Sequence, residues 1–227
     1  MSTDSIVKIN NAIDRLNKIL PLTQRLQSLE PELAAVYRNI LSSYVDIGRS
    51  LNKSEIALQV DDVDATIEVL KANDMVVFDE IDEPVGAYPF TMEQRMHRVD
   101  VNGHRLHCMC ALDALAVSPM FGLETVINSK CAVTGQPISI EQHDHAIVTD
   151  EDNRDVYFGI SWNSAANNCC ATSLCTEMLF LKSGAIADVW RDEDPDNREL
   201  FSLTEAVDFA AGFFVPLLHN QASRRRP

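Results

Sequence analysis

The hydrophobic residues of the first fifty positions recur at the three- and four-residue spacing of an α-helix. One series covers residues 4–20 and a second covers residues 32–47. The apolar positions are Ile6, Ile9, Ile13, Leu16 and Leu20 in the first series, and Leu33, Val36, Ile40, Tyr44 and Ile47 in the second. Positions with this spacing share one side of a helix. The sequence therefore predicts two amphipathic helices.

The next forty or so residues predict shorter elements that end in a β-ribbon. These are a short helix beginning within residues 51–57, a helix over residues 61–70, a strand over residues 75–78 and a partner strand near residues 88–92. The two strands are expected to be joined by a turn that contains Pro84 and Gly86. Helices followed by a ribbon in this order indicate a winged-helix-like domain.

From about Met96 onward, short apolar runs alternate with polar loops. Strands are predicted over residues 98–101, 146–148, 156–160 and 178–181, and helices over residues 111–117 and 203–218. This mixture is typical of an α+β domain built on a mixed or antiparallel sheet. We therefore expect a helical, winged-helix-like domain over residues 1–95 and an α+β catalytic domain that carries the cysteines over residues 96–227.

Composition narrows the class of protein. With 227 residues and 46% hydrophobic content, the chain can build a packed core. No apolar run approaches the roughly 20 residues that a membrane helix needs, and the first residues do not resemble a basic, then apolar, secretory leader. We therefore expect a cytoplasmic protein with no membrane partner.

The charge of the chain argues against a nucleic acid partner. The formal net charge is −15, which repels a phosphate backbone. The predicted helix over residues 61–70 carries Asp61, Asp62, Asp64 and Glu68, with only Lys71 at its end. A helix that enters the major groove needs Arg, Lys, Asn or Gln facing the bases. A DNA-binding regulator is thus the weakest of the hypotheses that the winged-helix pattern suggests, and a structural or lid-forming role is favoured.

The candidate chemistry lies in the cysteines. There are six of them, Cys108, Cys110, Cys131, Cys169, Cys170 and Cys175. In a cytosolic chain such residues are more often thiols, metal ligands or catalytic groups than disulfides. Cys110 and Asp113 are three residues apart, so on a helix they share one face. A metal-binding sulfur and a proton-donating carboxyl could then address the same small site.

Three segments carry a resemblance to a known family. Residues 105–115, with Cys110-Ala111-Leu112-Asp113 at their centre, resemble the signature of the alkylmercury lyases, also called organomercurial lyases. Residues 130–138 are similar to that family's Cys-x-x-Thr-Gly-x-Pro segment. Residues 175–181, together with Trp190, look like the segment of its second active-site cysteine. The family also places a winged-helix-like domain before an α+β catalytic domain.

The resemblance implies a function and a set of residues. Cys110 and Cys175 correspond to the thiols that bind mercury, Asp113 to the carboxylate that handles the proton, and Cys131 to a cysteine regarded as structural. The implied reaction is protonolysis of a carbon–mercury bond in a small organometallic substrate. It requires no cofactor, leaves Hg(II) bound to the thiolates, and depends on low-molecular-weight or protein thiols as metal acceptors.

The proposed residues also suit this chemistry on general grounds. Soft metals prefer thiolates to nitrogen or oxygen donors. A carbon that leaves as a carbanion must be protonated as its bond to the metal breaks, which calls for a positioned general acid. Partial burial would raise the pKa of Asp113 toward neutrality, so that it could relay a proton taken from a thiol.

The extra cysteines leave alternatives open. Cys175 is the preferred second thiol because its spacing to Phe180 and Trp190 fits the family pattern, and Cys170 is the second choice. If residues 105–110 are extended, Cys108 and Cys110 point to the same face, so that Cys108 could be a further ligand. With Cys169 and Cys170 it could complete a zinc or copper site. The chain would then be a thiolate metal-binding protein, or an enzyme with a different substrate.

Two other groups have a simpler interpretation. His143 and His145 form a His-x-His pair on an acidic segment, which is more often a solvated turn than a metal site. Trp162 and Trp190 are expected to pack in the core or to form a wall of the pocket.

Overall fold

The computed structural model describes residues 2–148, 153–164 and 173–218. Within these ranges, the helices are Thr3–Ile19 (α1), Leu22–Ser28 (α2), Pro31–Ile47 (α3), Lys53–Ala57 (α4), Val63–Ala72 (α5), Ala111–Phe121 (α6), Gly184–Asp192 (α7) and Leu203–Leu218 (α8). The predicted helices over residues 4–20, 32–47 and 203–218 are confirmed. Helices α2 and α7 were not predicted. None of the helices in this part of the chain has both the length and the apolar character needed to cross a membrane.

The strands of the described residues form two sheets. They are Val76–Phe78 (β1), Pro84–Ala87 (β2), Phe90–Thr91 (β3), His97–Val101 (β4), His104–Cys108 (β5), Glu124–Lys130 (β6), Pro137–His143 (β7), Ala146–Val148 (β8), Tyr157–Ser161 (β9), Met178–Leu181 (β10) and Arg198–Ser202 (β11). The larger sheet has the order β1-β2-β3-β5-β4-β6-β7-β8, and the smaller one β10-β9-β11. Each strand pairing is antiparallel. The predicted α+β class with an antiparallel sheet is confirmed.

Helix α6 occupies the centre of the molecule. All residues from Ala111 to Met120 are buried, so the helix has no solvent-facing side. It packs against β4, β5, β6 and β7 of the larger sheet, against β10 of the smaller sheet, and against α8. The larger sheet buries one face, because buried and exposed positions alternate along β6 and β7. A helix apolar on every side is typical of such a buried position.

Pro119 lies inside α6, and a buried side chain compensates for the hydrogen bond that it removes. Proline lacks the N–H that would donate to the carbonyl of Leu115, four residues earlier. Instead, Nε2 of Gln142 donates to the Leu115 carbonyl at 2.9 Å. Gln142 is itself buried and comes from β7. The helix then ends at Gly122, which adopts the left-handed conformation with φ 66°.

The predicted pairing of the first β-ribbon is wrong. Strand β1 pairs with β2, whose residues include both Pro84 and Gly86, and not with residues 88–92. The turn lies earlier, where the Asp79 carboxylate accepts the backbone N–H groups of Ile81 at 3.0 Å and Glu83 at 2.9 Å. Proline is compatible with the first residue of a strand.

Gly86 lies at a close packing contact rather than in a turn. A Cβ atom added at Gly86 would lie 2.8 Å from Cε of Met109. Glycine within a strand often marks such a close approach. The sequence could not reveal it, because Met109 belongs to a distant segment.

The helical first half and the second half share one sheet and one core. Strands β1 to β3 continue the sheet of β4 to β8. One cluster of buried side chains includes Leu16 and Tyr44 from the first half and Leu112 and Phe209 from the second. The domain boundary between residues 95 and 96 stays a prediction.

Candidate active site

Cys110 and Asp113 are fixed by the start of α6. Cys110 is the N-cap residue, with an extended backbone at φ −149° and ψ 179°. Its Sγ accepts the backbone N–H of Asp113 at 3.4 Å. An N-cap side chain that binds the N–H of the third helical residue is the usual way to begin a helix, although Ser, Thr, Asp and Asn are the common residues. Here a thiol takes that position, with the carboxyl one turn away.

Cys175 reaches Cys110 and Asp113 from the segment that leads into the smaller sheet. It lies in a short 3-10 turn, Leu174–Glu177, that leads directly into β10. One ligand atom from each of Cys110, Asp113 and Cys175 lies within 4.8 Å of the other two. All three residues are buried, with exposures of 1%, 1% and 4%. The structure thus places Cys175, the preferred second thiol, next to Cys110.

Burial decides the protonation of Asp113. It raises the pKa of this carboxyl from the ordinary value of 3.8 to about 7, although hydrogen bonds with the side chain and backbone of Cys110 oppose the shift. Among the residues that the structure describes, Oδ2 of Asp113 has no hydrogen-bond partner. Near pH 7 the group can therefore both accept and donate a proton, and one of its oxygens is available to do so.

Burial also keeps the Cys110 thiol protonated. It raises the pKa to about 12, and the nearby Asp113 contributes to the increase, while a hydrogen bond with Cys175 lowers it. The N-terminus of a helix favours a thiolate. At Cys110 this effect is smaller than the desolvation of the charged sulfur. Cys110 is consequently uncharged at rest, and a metal that binds it must displace a proton.

Cys108 is a buried neighbour outside the three-residue group. Strand β5 ends at Cys108, while Cys110 keeps an extended backbone and caps α6. Burial, with contributions from Asp113 and Cys110, raises the pKa of the Cys108 thiol well above its usual range. Cys169 and Cys170 lie outside the described residues. A metal-binding role for these three cysteines, and the zinc or copper site, stay predictions.

Cys131 occupies a tight turn between β6 and β7. Its Sγ accepts the backbone N–H of Lys182 at 3.4 Å, and its carbonyl accepts the N–H of Gly135 at 2.9 Å. Burial raises the pKa of this thiol, but hydrogen bonds from Thr134 and from the backbone of Lys182 and Val133 outweigh it, so the pKa is lowered overall. These are the contacts of a residue that holds a turn together.

The two candidate histidines, His143 and His145, do not belong to the group of Cys110, Asp113 and Cys175. His143 is exposed and lies 3.6 Å from Glu124, whereas His145 lies 2.8 Å from Asp208 on α8. An open cavity of about 720 Å³ is lined by residues that include His143 and Glu124, and none of the described cysteines lines it. Sulfur is the donor that a soft metal prefers, and the described residues of this cavity supply none.

The two tryptophans pack as expected. Trp190 is buried against Leu181 and Ala187 of the smaller core. The Trp162 indole donates to Glu199 at 3.0 Å, and the guanidinium of Arg15 lies 4.4 Å from its ring centroid.

Sequence reasoning missed one residue at the site. Met178, the first residue of β10, places its Sδ 3.5 Å from Sγ of Cys110. A methionine within an apolar strand carries no distinguishing signal, since methionine is a common core residue. Only its proximity to Cys110, a consequence of the fold, reveals the contact.

Comparison with known proteins identifies the family of the chain. The family model described as "MerB: Alkylmercury lyase" matches residues 90–215, more than half of the chain. The chain is 29% identical over 138 residues to an alkylmercury lyase of Bacillus cereus, covering 61% of this chain and 62% of that protein. It is 26% identical over 149 residues to one of Streptomyces lividans, covering 65% and 68% respectively. The chain thus spans about 62% of the length of the first of these relatives.

A solved structure extends the likeness in fold. The mercury-bound form of MerB2 superimposes with a TM-score of 0.72 at 23% sequence identity, covering 91% of this chain and 100% of that chain. The family match contains Cys110, Asp113 and Cys175. The chain therefore belongs to the alkylmercury lyase family.

Proposed function

We propose that this protein cleaves the carbon–mercury bond of small organomercurials by protonolysis, with Cys110 and Cys175 binding the metal and Asp113 moving the proton. The single observation that carries the proposal is the buried group of two sulfurs and one carboxyl oxygen, all within 4.8 Å of one another. Two thiolates suit a soft metal in a low-coordinate site. The carboxyl is near enough to reach a carbon bound to that metal.

The first step exchanges thiols at mercury. The substrate enters as an organomercury thiolate. Sγ of Cys110 bonds to mercury, the bond to the incoming thiolate breaks, and the Cys110 proton leaves with it as a free thiol. Because its pKa is raised, Cys110 starts the step as a neutral thiol. It ends the step as a neutral mercury thiolate. No net charge is placed in the buried site.

The second and third steps use Asp113. Sγ of Cys175 bonds to mercury, and its proton passes to the Asp113 carboxylate. The resulting carboxyl then donates the proton to the substrate carbon, the carbon–mercury bond breaks, and its electron pair forms the new C–H bond. A hydrocarbon leaves, and Hg(II) stays on two thiolates. A pKa of about 7 lets Asp113 perform both transfers near neutral pH.

Release of the metal requires external thiols. Two low-molecular-weight or protein thiols displace Cys110 and Cys175, whose thiols regain their protons. The cycle needs reduced cysteines and a supply of thiols, and we therefore propose the cytoplasm as its compartment. It uses no further cofactor.

Hydrocarbon release tests the proposal directly. Fully reduced protein is incubated with phenylmercury or methylmercury thiolate and excess thiol, and benzene or methane is measured. Parent protein is expected to release hydrocarbon, while Cys110→Ser, Cys175→Ser and Asp113→Ala release far less. Asp188→Asn, a change at an exposed carboxylate on α7, is the control. No release by the parent, or equal release by all variants, rejects the lyase function.

We further propose that residues 1–95 form a winged-helix-like unit with a structural or lid role rather than a DNA-binding one. In support, α5 is followed by the β1–β2 hairpin. Lys53 lies 2.7 Å from Asp64, and Lys71 pairs with Asp82, so carboxylates already neutralise both lysines. A phosphate backbone would have to displace them. Binding to duplex DNA at physiological salt would overturn this proposal.

A further inference from the structure

Met178 brings a third sulfur atom to the candidate site. Its Sδ lies 3.5 Å from Sγ of Cys110, which donates an S–H hydrogen bond to it. The residue is 3% exposed, and it lies three positions after Cys175. Its backbone is fixed by pairing with Ile160 on β9. The contact therefore joins the strand after Cys175 to the cap of α6.

We propose that the thioether of Met178 is a third sulfur donor to the mercury held by Cys110 and Cys175. The inference rests on the proposed function, because it places the metal at these two thiols. Thioethers are soft ligands and suit the same metals as thiolates. Because Sδ of Met178 lies 3.5 Å from Sγ of Cys110, a metal bonded to that Sγ can also contact the thioether.

The charge of the site favours a neutral third donor. Hg(II) with two thiolates is neutral as a unit, and a third thiolate would create an anion in a desolvated pocket next to Asp113. Cys108, another nearby sulfur among the described residues, is fully buried and would have to lose a proton to become such a thiolate. A thioether coordinates without losing a proton. It also adds electron density to the metal as the carbon–mercury bond breaks.

The simpler explanation is that Met178 only fills space in the core. Methionine is well suited to irregular gaps, and many buried methionines have no other role. The two explanations differ in one measurable respect, which is whether a bond to the metal forms. Selenium in place of the methionine sulfur makes that bond visible without changing the shape of the side chain.

X-ray absorption at the mercury edge of selenomethionine-labelled protein separates the explanations. Reduced protein is loaded with one equivalent of HgCl₂, so that binding is observed without turnover. The parent is expected to show two short Hg–S distances and one longer Hg–Se distance. Met178→Leu, a volume-conserving change, is expected to lose the Hg–Se signal and to keep both Hg–S distances. Met109→Leu, another buried methionine close to Cys110 in sequence, is the matched control and should retain all three.

The outcomes for this inference and for the lyase function are distinguishable. An Hg–Se signal that is absent from the parent, or that persists in Met178→Leu, overturns the role of Met178 whether or not the variant is active. Two Hg–S distances without selenium, together with hydrocarbon release, would leave the lyase function intact. If the Hg–Se signal is lost only in Met178→Leu and the parent releases no hydrocarbon, the metal site is supported and the lyase function is rejected.

Discussion

The backbone N–H of Asp113 donates to Sγ of Cys110 at 3.4 Å, so the thiol that would bind the metal also holds the turn that carries the carboxyl. The sequence predicted that these residues share a helix face. The structure shows a tighter relationship, since Cys110 is the cap of the helix rather than a residue within it. A substitution at Cys110 therefore tests both the start of α6 and the chemistry.

Cys110→Ser is expected to separate these two roles. Serine is a favoured N-cap residue, so α6 should still begin at position 110 and the melting temperature should not fall. A hydroxyl is a poor ligand for a soft metal, so hydrocarbon release should drop below detection. Thermal unfolding and product assays on the same sample check both statements. Release close to that of the parent would contradict the assignment of Cys110.

Asp113→Asn is expected to lower the rate of hydrocarbon release about 10²–10⁴-fold, the usual contribution of a general acid or base. In the parent, kcat/KM should rise with pH through about 7, because ionised Asp113 accepts the proton of Cys175. The variant should lack this rise. If the rise of kcat/KM with pH persists in the variant, a group other than Asp113 causes it.

Asp113 should also make stability depend on pH. Its pKa is raised from 3.8 to about 7 in the folded protein, so between these values the folded state binds more protons than the unfolded state. Stability conferred by the neutral carboxyl is therefore present below about pH 4 and is lost as pH rises toward 7. Relative to the parent, Asp113→Asn should become more stable with rising pH, by about 4 kcal/mol in total at most. Urea unfolding at pH 4, 5.5 and 8 measures the difference. A constant difference would mean that Asp113 does not titrate in this range.

Local patterns in the sequence specify the parts of the fold that depend on neighbouring residues. The apolar spacing in α1, α3 and α8 predicts their positions closely, because one face of each is buried along its length. The pair Cys110 and Asp113 is visible for the same reason, since both belong to one helical turn. The convergence of Cys175 on this pair was suggested only by family resemblance, because spacing along the chain sets no distance between two sheets.

The misplaced hairpin shows what local patterns lack. Pro84 and Gly86 have the composition of a turn, yet Pro84 begins an ordinary strand. Gly86 is explained by the methyl group of Met109, which packs against it across the sheet. Met178 was missed for a related reason, since its sulfur gains significance only from its position beside Cys110. Contacts between distant segments decide the roles of Gly86 and Met178.

Cys131 is expected to contribute to stability and not to the chemistry. Cys131→Ala would leave the backbone N–H of Lys182 without its sulfur acceptor and cost about 1–3 kcal/mol of unfolding free energy. Cys131→Ser, whose hydroxyl can accept the same N–H, should lose less. Hydrocarbon release per folded molecule should match that of the parent in both variants, measured well below the melting temperature. Loss of release from fully folded Cys131→Ser would place this thiol in the reaction.

Gly159 in β9 is expected to be essential for packing of the smaller sheet. A Cβ atom there would lie 2.8 Å from Cζ3 of Trp190 and 3.2 Å from Cδ1 of Leu181, both in the smaller core. Gly159→Ala should therefore destabilise the protein by about 1–3 kcal/mol. Gly184→Ala makes the same chemical change where the nearest atom, in Tyr157, is 3.5 Å away, and it should stabilise by about 0.4–1 kcal/mol because the unfolded chain loses freedom.

Adding Trp190→Phe to Gly159→Ala should cost less than the two single changes together, since the smaller ring relieves the overlap. Denaturant unfolding of the parent, the Gly159→Ala and Trp190→Phe variants and the double variant completes the cycle. Strict additivity would show that the indole is not what excludes a side chain at position 159.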